Sequence, residues 1–194
     1  VSADMRDDLG GGGLTQASLA VSSGRLTFDS ASAAALDAAG ARTAGGYSKV
    51  AYGVERLQAL PAGFSLNLQW RGQWTNDNLD SSEKFSLGGP YGVRAYATAE
   101  AMGDRGWLGS VELRYAVTSW LVASVFHDHG AVTVNAHSYL DSSNSMHRKG
   151  SGLGLTGNYS DFDWRAYVAW RDGEEGAAEP DKTPRFWLQA GWRF

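Results

Sequence analysis

A chain of 194 residues with 20% charged side chains, a formal net charge of −4 and no cysteine has room for one domain but none for a disulfide framework or a thiolate metal site. The acidic balance argues against a nucleic-acid-binding domain. No window reaches the ~18 consecutive apolar residues of a membrane-spanning helix, whereas membrane-crossing strands need only alternating segments of about ten residues with aromatic ends, a pattern that 8 Trp and 8 Tyr can supply.

Val1 to Gly13 is acidic and then glycine-only from Gly10 to Gly13. It is too irregular for a strand interior, and with no Lys-Ser/Thr pair and no helix after it the glycine run reads as a connection, not a phosphate cradle. The chain opens in mid-pattern without a signal peptide, as a piece of something longer would. Leu14 to Phe28 is a strand with Thr15, Ala17, Leu19 and Val21 on one face. Asp29 to Gly46 is rich in Ala, Ser and Gly; Ala31 to Ala39 could form a short helix but lacks an apolar stripe, so a long loop is expected. Tyr47 to Leu60 is the second strand, stopped by the turn Leu60-Pro61-Ala62-Gly63. In the third, Phe64, Leu66, Leu68, Trp70 and Trp74 alternate with Ser65, Asn67, Gln69, Arg71 and Gln73.

From Thr75 to Gly106 runs a connection of about thirty residues, far longer than a compact β domain normally uses. Its centre, Phe85 to Tyr96 (FSLGGPYGVRAY), has Phe85, Leu87, Tyr91, Val93 and Tyr96 to bury and Gly88-Gly89-Pro90 and Gly92 to bend, which points to an ordered, functional loop. Alternation resumes at Trp107, with Trp107, Val111, Leu113, Tyr115 and Val117 opposite Ser110, Glu112 and Arg114. Leu153, Leu155 and Tyr159 stand opposite Thr156 and Asn158, and Phe162, Trp164, Ala166, Val168 and Trp170 opposite Asp163, Arg165, Tyr167 and Arg171. The last segment puts Phe186, Leu188, Ala190, Trp192 and Phe194 on one face. The total is about eight strands.

Both a soluble sandwich and a barrel in lipid alternate in this way. Loop lengths favour the barrel: turns are short at Leu60 to Gly63, Val117-Thr118-Ser119 and Ser160-Asp161, and connections long at Asp29 to Gly46, Thr75 to Gly106, Asn135 to Gly150 and Asp172 to Pro184, the asymmetry of bacterial outer-membrane proteins. Aromatics near strand ends (Trp74, Trp107, Trp120, Tyr159, Trp170, Trp192) fit interfacial girdles. The expected fold is all-β, an antiparallel transmembrane β-barrel whose polar face (Gln69, Arg71, Gln73, Glu112, Arg114, Asp163, Arg165, Arg171) lines a wet lumen. The closing strand with Trp192 and Phe194 resembles the signal by which such barrels are recognised for insertion.

The run FSLGGPYGVRAY, followed by Gly103-Asp104-Arg105-Gly106 and the strand Gly109 to Tyr115, resembles the haemolysin secretion/activation family, the outer-membrane transporters of two-partner secretion. In that family a long extracellular loop folds back into the barrel and carries a Val-Arg-Gly-Tyr/Phe tip. Here the tip is Val93-Arg94-Ala95-Tyr96, and alanine in place of glycine makes any positive φ costlier. A second motif of the family, Phe-x-Asp-x-Gly on the inner wall, is matched by Phe126, Asp128 and Gly130. The resemblance implies that Arg94 pairs with Asp128 inside the barrel; an arginine carried into a partly desolvated lumen also requires a carboxylate on physical grounds. If Asp128 faces the lumen, so do Phe126, Ser124 and Val122, while His127 and His129 point outward. His-Asp-His is then no metal set, because the carboxylate leaves both imidazoles and no third ligand is evident.

Barrels of this family have about sixteen strands and follow polypeptide-transport-associated (POTRA) domains and a plug helix, so residues 1–194 resemble the C-terminal half, with an in-folded loop at about 75–106. The implied function is export of an unfolded partner protein across the bacterial outer membrane, without enzymatic activity, cofactor or nucleic acid. The partners are the cargo, outer-membrane lipid and, during biogenesis, the barrel-assembly machinery. The alternatives are a barrel-assembly insertase and a small structural barrel or adhesin; a hydrolase is disfavoured because spacing fixes no Ser-His pair.

Overall fold

The computed structural model describes residues 1–139, 142–173 and 183–193. In chain order the strands are β1 (Ser2–Asp7), β2 (Gly13–Leu26), β3 (Gly45–Ala59), β4 (Phe64–Thr75), the two-residue β5 (Phe85–Ser86) and β6 (Met102–Gly103), then β7 (Arg105–Ala116), β8 (Leu121–Thr133), β9 (Ser145–Tyr159), β10 (Phe162–Arg171) and β11 (Arg185–Trp192). Nine of them form one antiparallel sheet in the order β1-β2-β3-β4-β7-β8-β9-β10-β11, and β5 pairs with β6 inside the connection between β4 and β7. Among the described residues the sheet is open, with β1 and β11 at its edges.

The alternation read from the sequence becomes a division between two faces. Leu66, Leu113, Val125, Leu153 and Val168 are cross-strand neighbours from β4 to β10 and point outward, where Val125 is 50% and Leu188 75% exposed. One residue along each strand the face reverses. Leu108, Glu112, Phe126, Asp128 and Val132 are buried on the concave side, packed not against a second sheet but against the returning loop, which contributes Phe85, Leu87, Val93, Ala95 and Tyr96 to the same core. Among the described residues nothing covers the apolar outer face, as expected of strands immersed in lipid.

Three expectations need correction. Ser2–Asp7 is a strand, registered on Gly13 to Ser18 of β2, so the sheet has nine strands and not about eight. Exposed along almost its whole length, β1 forms from main-chain pairing rather than burial, and hydrophobic period cannot reveal it. Ala31–Ala39 is an α-helix, α1. It has no buried residue and owes its existence to alanine propensity and to caps: Ser30 Oγ accepts from Ala33 N at 3.4 Å, and Asp37 accepts from Thr43 N and Ala44 N at 2.8 and 2.9 Å. Ser145 to Gly150, expected in a loop, is the first part of β9, registered on Thr133 to Asp128. Ala95 is absent from the positive-φ residues, so alanine at the loop tip carries no such cost.

Candidate functional site

The connection from β4 to β7 turns back into the concavity of the sheet. Its base is a short ladder: β5 pairs with β6, then Leu87 N and Gly88 N donate to Ala101 O and Glu100 O, both at 3.1 Å. Gly88 and Gly92 allow the chain to cross itself, since a Cβ on either would collide with the backbone of Ala97 or Leu87. Val93 N then donates to Leu87 O at 2.6 Å and Tyr96 N to Val93 O at 3.1 Å, closing a turn that presents Arg94. The base is held by Asp104, a carboxylate with no exposed surface that accepts from Lys84 Nζ at 2.6 Å, Ala136 N at 2.7 Å and Leu79 N at 3.1 Å.

Arg94 is 5% exposed and its donors are directed to the wall. Nε and Nη2 form a fork onto the two oxygens of Asp128 at 2.9 and 2.8 Å, and its own backbone N donates to Asp128 Oδ2 at 3.0 Å. Nη1 donates to Glu112 Oε2 at 2.9 Å and Nη2 to Ser110 Oγ at 3.2 Å. Glu112 also accepts from Arg114 Nε at 3.0 Å, and Ser110 Oγ donates to Asp128 Oδ1 at 2.7 Å. Two carboxylates therefore face two guanidinium groups, that of Arg94 buried and that of Arg114 about a third exposed. The guanidinium also lies on the ring of Phe126, 3.3 Å from Cζ to centroid, with Tyr167 at 4.9 Å, so the aromatic of the wall motif supplies the face of the cage and the carboxylate its rim.

Glycines of the wall, Gly130 of the motif among them, provide space. A Cβ at Gly130 would stand 2.6 Å from Leu87, and one at Gly150 would stand 2.5 Å from the methyl of Ala95. A Cβ at Gly152 would strike the Phe126 ring. Bare backbone on β8 and β9 is what lets the loop lie this close. Tyr96, 1% exposed, sits between the guanidiniums of Arg171 and Arg148, 4.9 and 5.2 Å from its ring.

Sequence reading brought Arg94 and Asp128 together and placed Glu112 on the same wall, but it did not identify Glu112 as the second partner. The signal was available: Glu112 is the direct neighbour of Phe126 across the β7–β8 ladder, and Ser110 of Asp128. It also missed β11. Trp187 Nε1 donates to Arg94 O at 2.7 Å and Gln189 Nε2 to Tyr91 OH at 2.9 Å, so the inward residues of that strand hold the loop's far side. His127 and His129 point outward. His127 Nδ1 is 3.0 Å from Ser151 Oγ and 3.2 Å from Asp172 Oδ2, His129 meets the edge of Trp107, and the described residues contain no cluster of His, Cys, Asp and Glu fit for a metal. Trp192 lies outward against Phe162, centroids 5.9 Å apart; Phe194 lies outside the described residues. Between the loop and the inner faces of β1 to β4 a cavity of about 840 Å3 of mixed polar and apolar lining remains, with Gln16, Ser18, Gly53, Gln69 and Arg71 among its walls.

An antiparallel sheet with an apolar outer face, long loops at one end and a charged latch inside defines an outer-membrane β-barrel of the transporter class. The family model for haemolysin secretion/activation proteins (ShlB/FhaC/HecB) matches residues 4–157, and the chain belongs to that family, whose members are transporters of the bacterial outer membrane. The heme/hemopexin transporter protein HuxB of Haemophilus influenzae strain 86-028NP is 34% identical over 112 residues, 54% of this chain and 20% of that protein. HuxB of the KW20/Rd strain is 36% identical over 83 residues, 41% of this chain and 15% of that protein. The chain thus matches a fifth or less of the length of these relatives. CdiB from Acinetobacter baumannii, a solved structure, is 16% identical with a TM-score of 0.47, over 92% of this chain and 41% of that one.

Proposed function

We propose that residues 1–194 are the C-terminal portion of a two-partner secretion barrel that exports an unfolded partner polypeptide, and that the Arg94 latch holds the in-folded loop in its working position. One observation carries this reading: a nearly inaccessible arginine at a loop tip is met by two wall carboxylates and an aromatic face. Withdrawing these charges from water costs several kcal/mol before pairing, an expense without purpose in a loop that only needed to cover a surface. The cavity wall beside the latch carries small and polar residues, Ser18, Gly53, Gln69 and Arg71 among them, which keep a passage wet without gripping an unfolded chain. Export of this kind draws on no nucleotide or cofactor, and the cargo is a separate secreted protein. During biogenesis Trp192, with Phe194, serves as the closing-strand signal read by the barrel-assembly machinery.

The test is secretion of the partner by the intact transporter carrying Arg94→Ala. Secretion should be lost while the barrel still migrates as a heat-modifiable outer-membrane protein; undiminished secretion would remove the latch from the mechanism.

A further inference from the structure

The outer face is not uniform along the strands. Through its middle it is aliphatic, but toward the long-loop ends of β7, β8 and β9 three successive cross-strand rows change character: Arg105 beside Thr133 and Ser145, Trp107 beside Ala131 and His147, Gly109 beside His129 and Lys149. Arg105 Nε donates to Thr75 O at 2.6 Å and Nη2 to Asn76 Oδ1 at 3.2 Å, and its Cζ lies 5.5 Å from the Trp74 ring. Among the described residues, no carboxylate lies within ion-pair range of Arg105 or Lys149. Asp172 is engaged with His127 and Ser151 on the β10 side. A cleft of about 280 Å3 opens outward here, walled by Tyr52, Trp74, Arg105, Trp107 and His147. Trp107 is stacked on Trp70, centroids 4.6 Å apart and planes at 10°.

Long loops mark the cell-exterior end of an outer-membrane barrel, and outward Trp and Tyr mark the level where hydrocarbon gives way to headgroups. A cation turned outward at that level, with no carboxylate in ion-pair range among the described residues, faces the lipid headgroups, and the outer leaflet of this membrane offers phosphorylated lipopolysaccharide. We propose that this cleft binds a phosphate group of lipopolysaccharide, with Arg105 supplying charge and His147 a further donor from its walls, Lys149 adding a second cation from beside it, two residues along β9, and Trp74 and Trp107 contact with the adjoining sugar. The fit is chemical: a guanidinium already fixed on one edge by backbone offers its other donors to an anion, and aromatic walls suit an amphipathic headgroup. The inference rests on the outer face alone and stands or falls independently of the export reading.

The test uses the intact transporter in phosphatidylcholine nanodiscs containing lipopolysaccharide, with bound lipid counted by native mass spectrometry after exchange into detergent. Wild type should retain lipopolysaccharide, and each removed cation should lower retention about fivefold. Because Arg105 also ties Thr75 and Asn76, the deciding variant is His147→Gln with Lys149→Gln, whose side chains hold no loop; heat-modifiable migration reports that the barrel is intact. Lipopolysaccharide stripped of its phosphates should bind wild type no better than the variant. Equal retention by wild type and variant, equal retention of the dephosphorylated lipid, or full displacement by phosphatidylglycerol would overturn the assignment.

Discussion

At the scale of single residues the molecule turns on Arg94 and the groups that neutralise it. Removing one partner of a buried ion pair strands the other, at about 3–5 kcal/mol. Arg94→Ala should therefore undock the loop by that order, read as lost hydrogen-exchange protection at the amides of Leu87, Val93 and Tyr96; Arg94→Lys, which keeps the charge but loses the fork onto Asp128, should fall between. Unchanged protection in Arg94→Ala would mean that the loop is held without its arginine. Gly150→Val tests the space rather than the charge, since its side chain must displace Ala95, and overpacking of this kind costs about 1–3 kcal/mol. The same exchange experiment should report partial undocking with Arg94 itself intact. The arginine and Asp128 were legible in the sequence because a family motif names each. Glu112, Trp187 and Gln189 belong to no motif, and they become visible only when register puts their faces beside the loop. The role of Gly150 could not be read because it consists of a missing side chain opposite a methyl group 55 positions earlier in the sequence.

Among elements, the long connections act together at one end of the sheet. Asn78, in the connection after β4, donates to Ala41 O at 2.7 Å and to His137 O at 2.9 Å, and accepts from His137 N at 2.7 Å. Three connections are thus tied by one amide. Asn78→Ala should raise amide exchange at His137 and in residues 41–44 together, whereas independent loops would respond singly. Asp37 fixes the end of α1: desolvation works against its charge, but hydrogen bonds from the Thr43 hydroxyl and from the Thr43 and Ala44 amides outweigh it and hold the carboxyl below its ordinary 3.8. A depressed carboxylate contributes stability that is complete above its unfolded value and is lost as pH falls through the lowered folded one. Protection of the Thr43 and Ala44 amides, corrected for intrinsic rate, should therefore fade below about pH 3.8, and Asp37→Asn should abolish that pH dependence. Strands with one face in lipid were readable as alternation from Phe64 to Trp74 and from Trp107 to Tyr115. α1 and β1 were not, because neither buries a face: capping builds one and main-chain pairing the other.

For the whole molecule, the arrangement inverts that of a soluble sandwich, with aliphatic side chains outside and the charged network at the centre. Leu113→Arg, placed in the middle of the outer face, should cost about 2–4 kcal/mol of barrel stability in reconstituted membranes, whereas Gln69→Arg on the inner wall should cost little. Equal penalties would mean that the outer face does not meet hydrocarbon. The sheet explains how a loop occupies the interior: β7 and β8 supply the carboxylates, β9 the open backbone, and β11 the far clamp. The central claim is that this loop lies inside the barrel against β11, and photo-cross-linking tests it most directly. A benzoylphenylalanine at Tyr91, in the intact transporter in outer membranes, should give on irradiation an intramolecular adduct on the peptide that carries Gln189, whose amide meets Tyr91 at 2.9 Å. Adducts confined to the surface connections, or none on β11, would contradict the account.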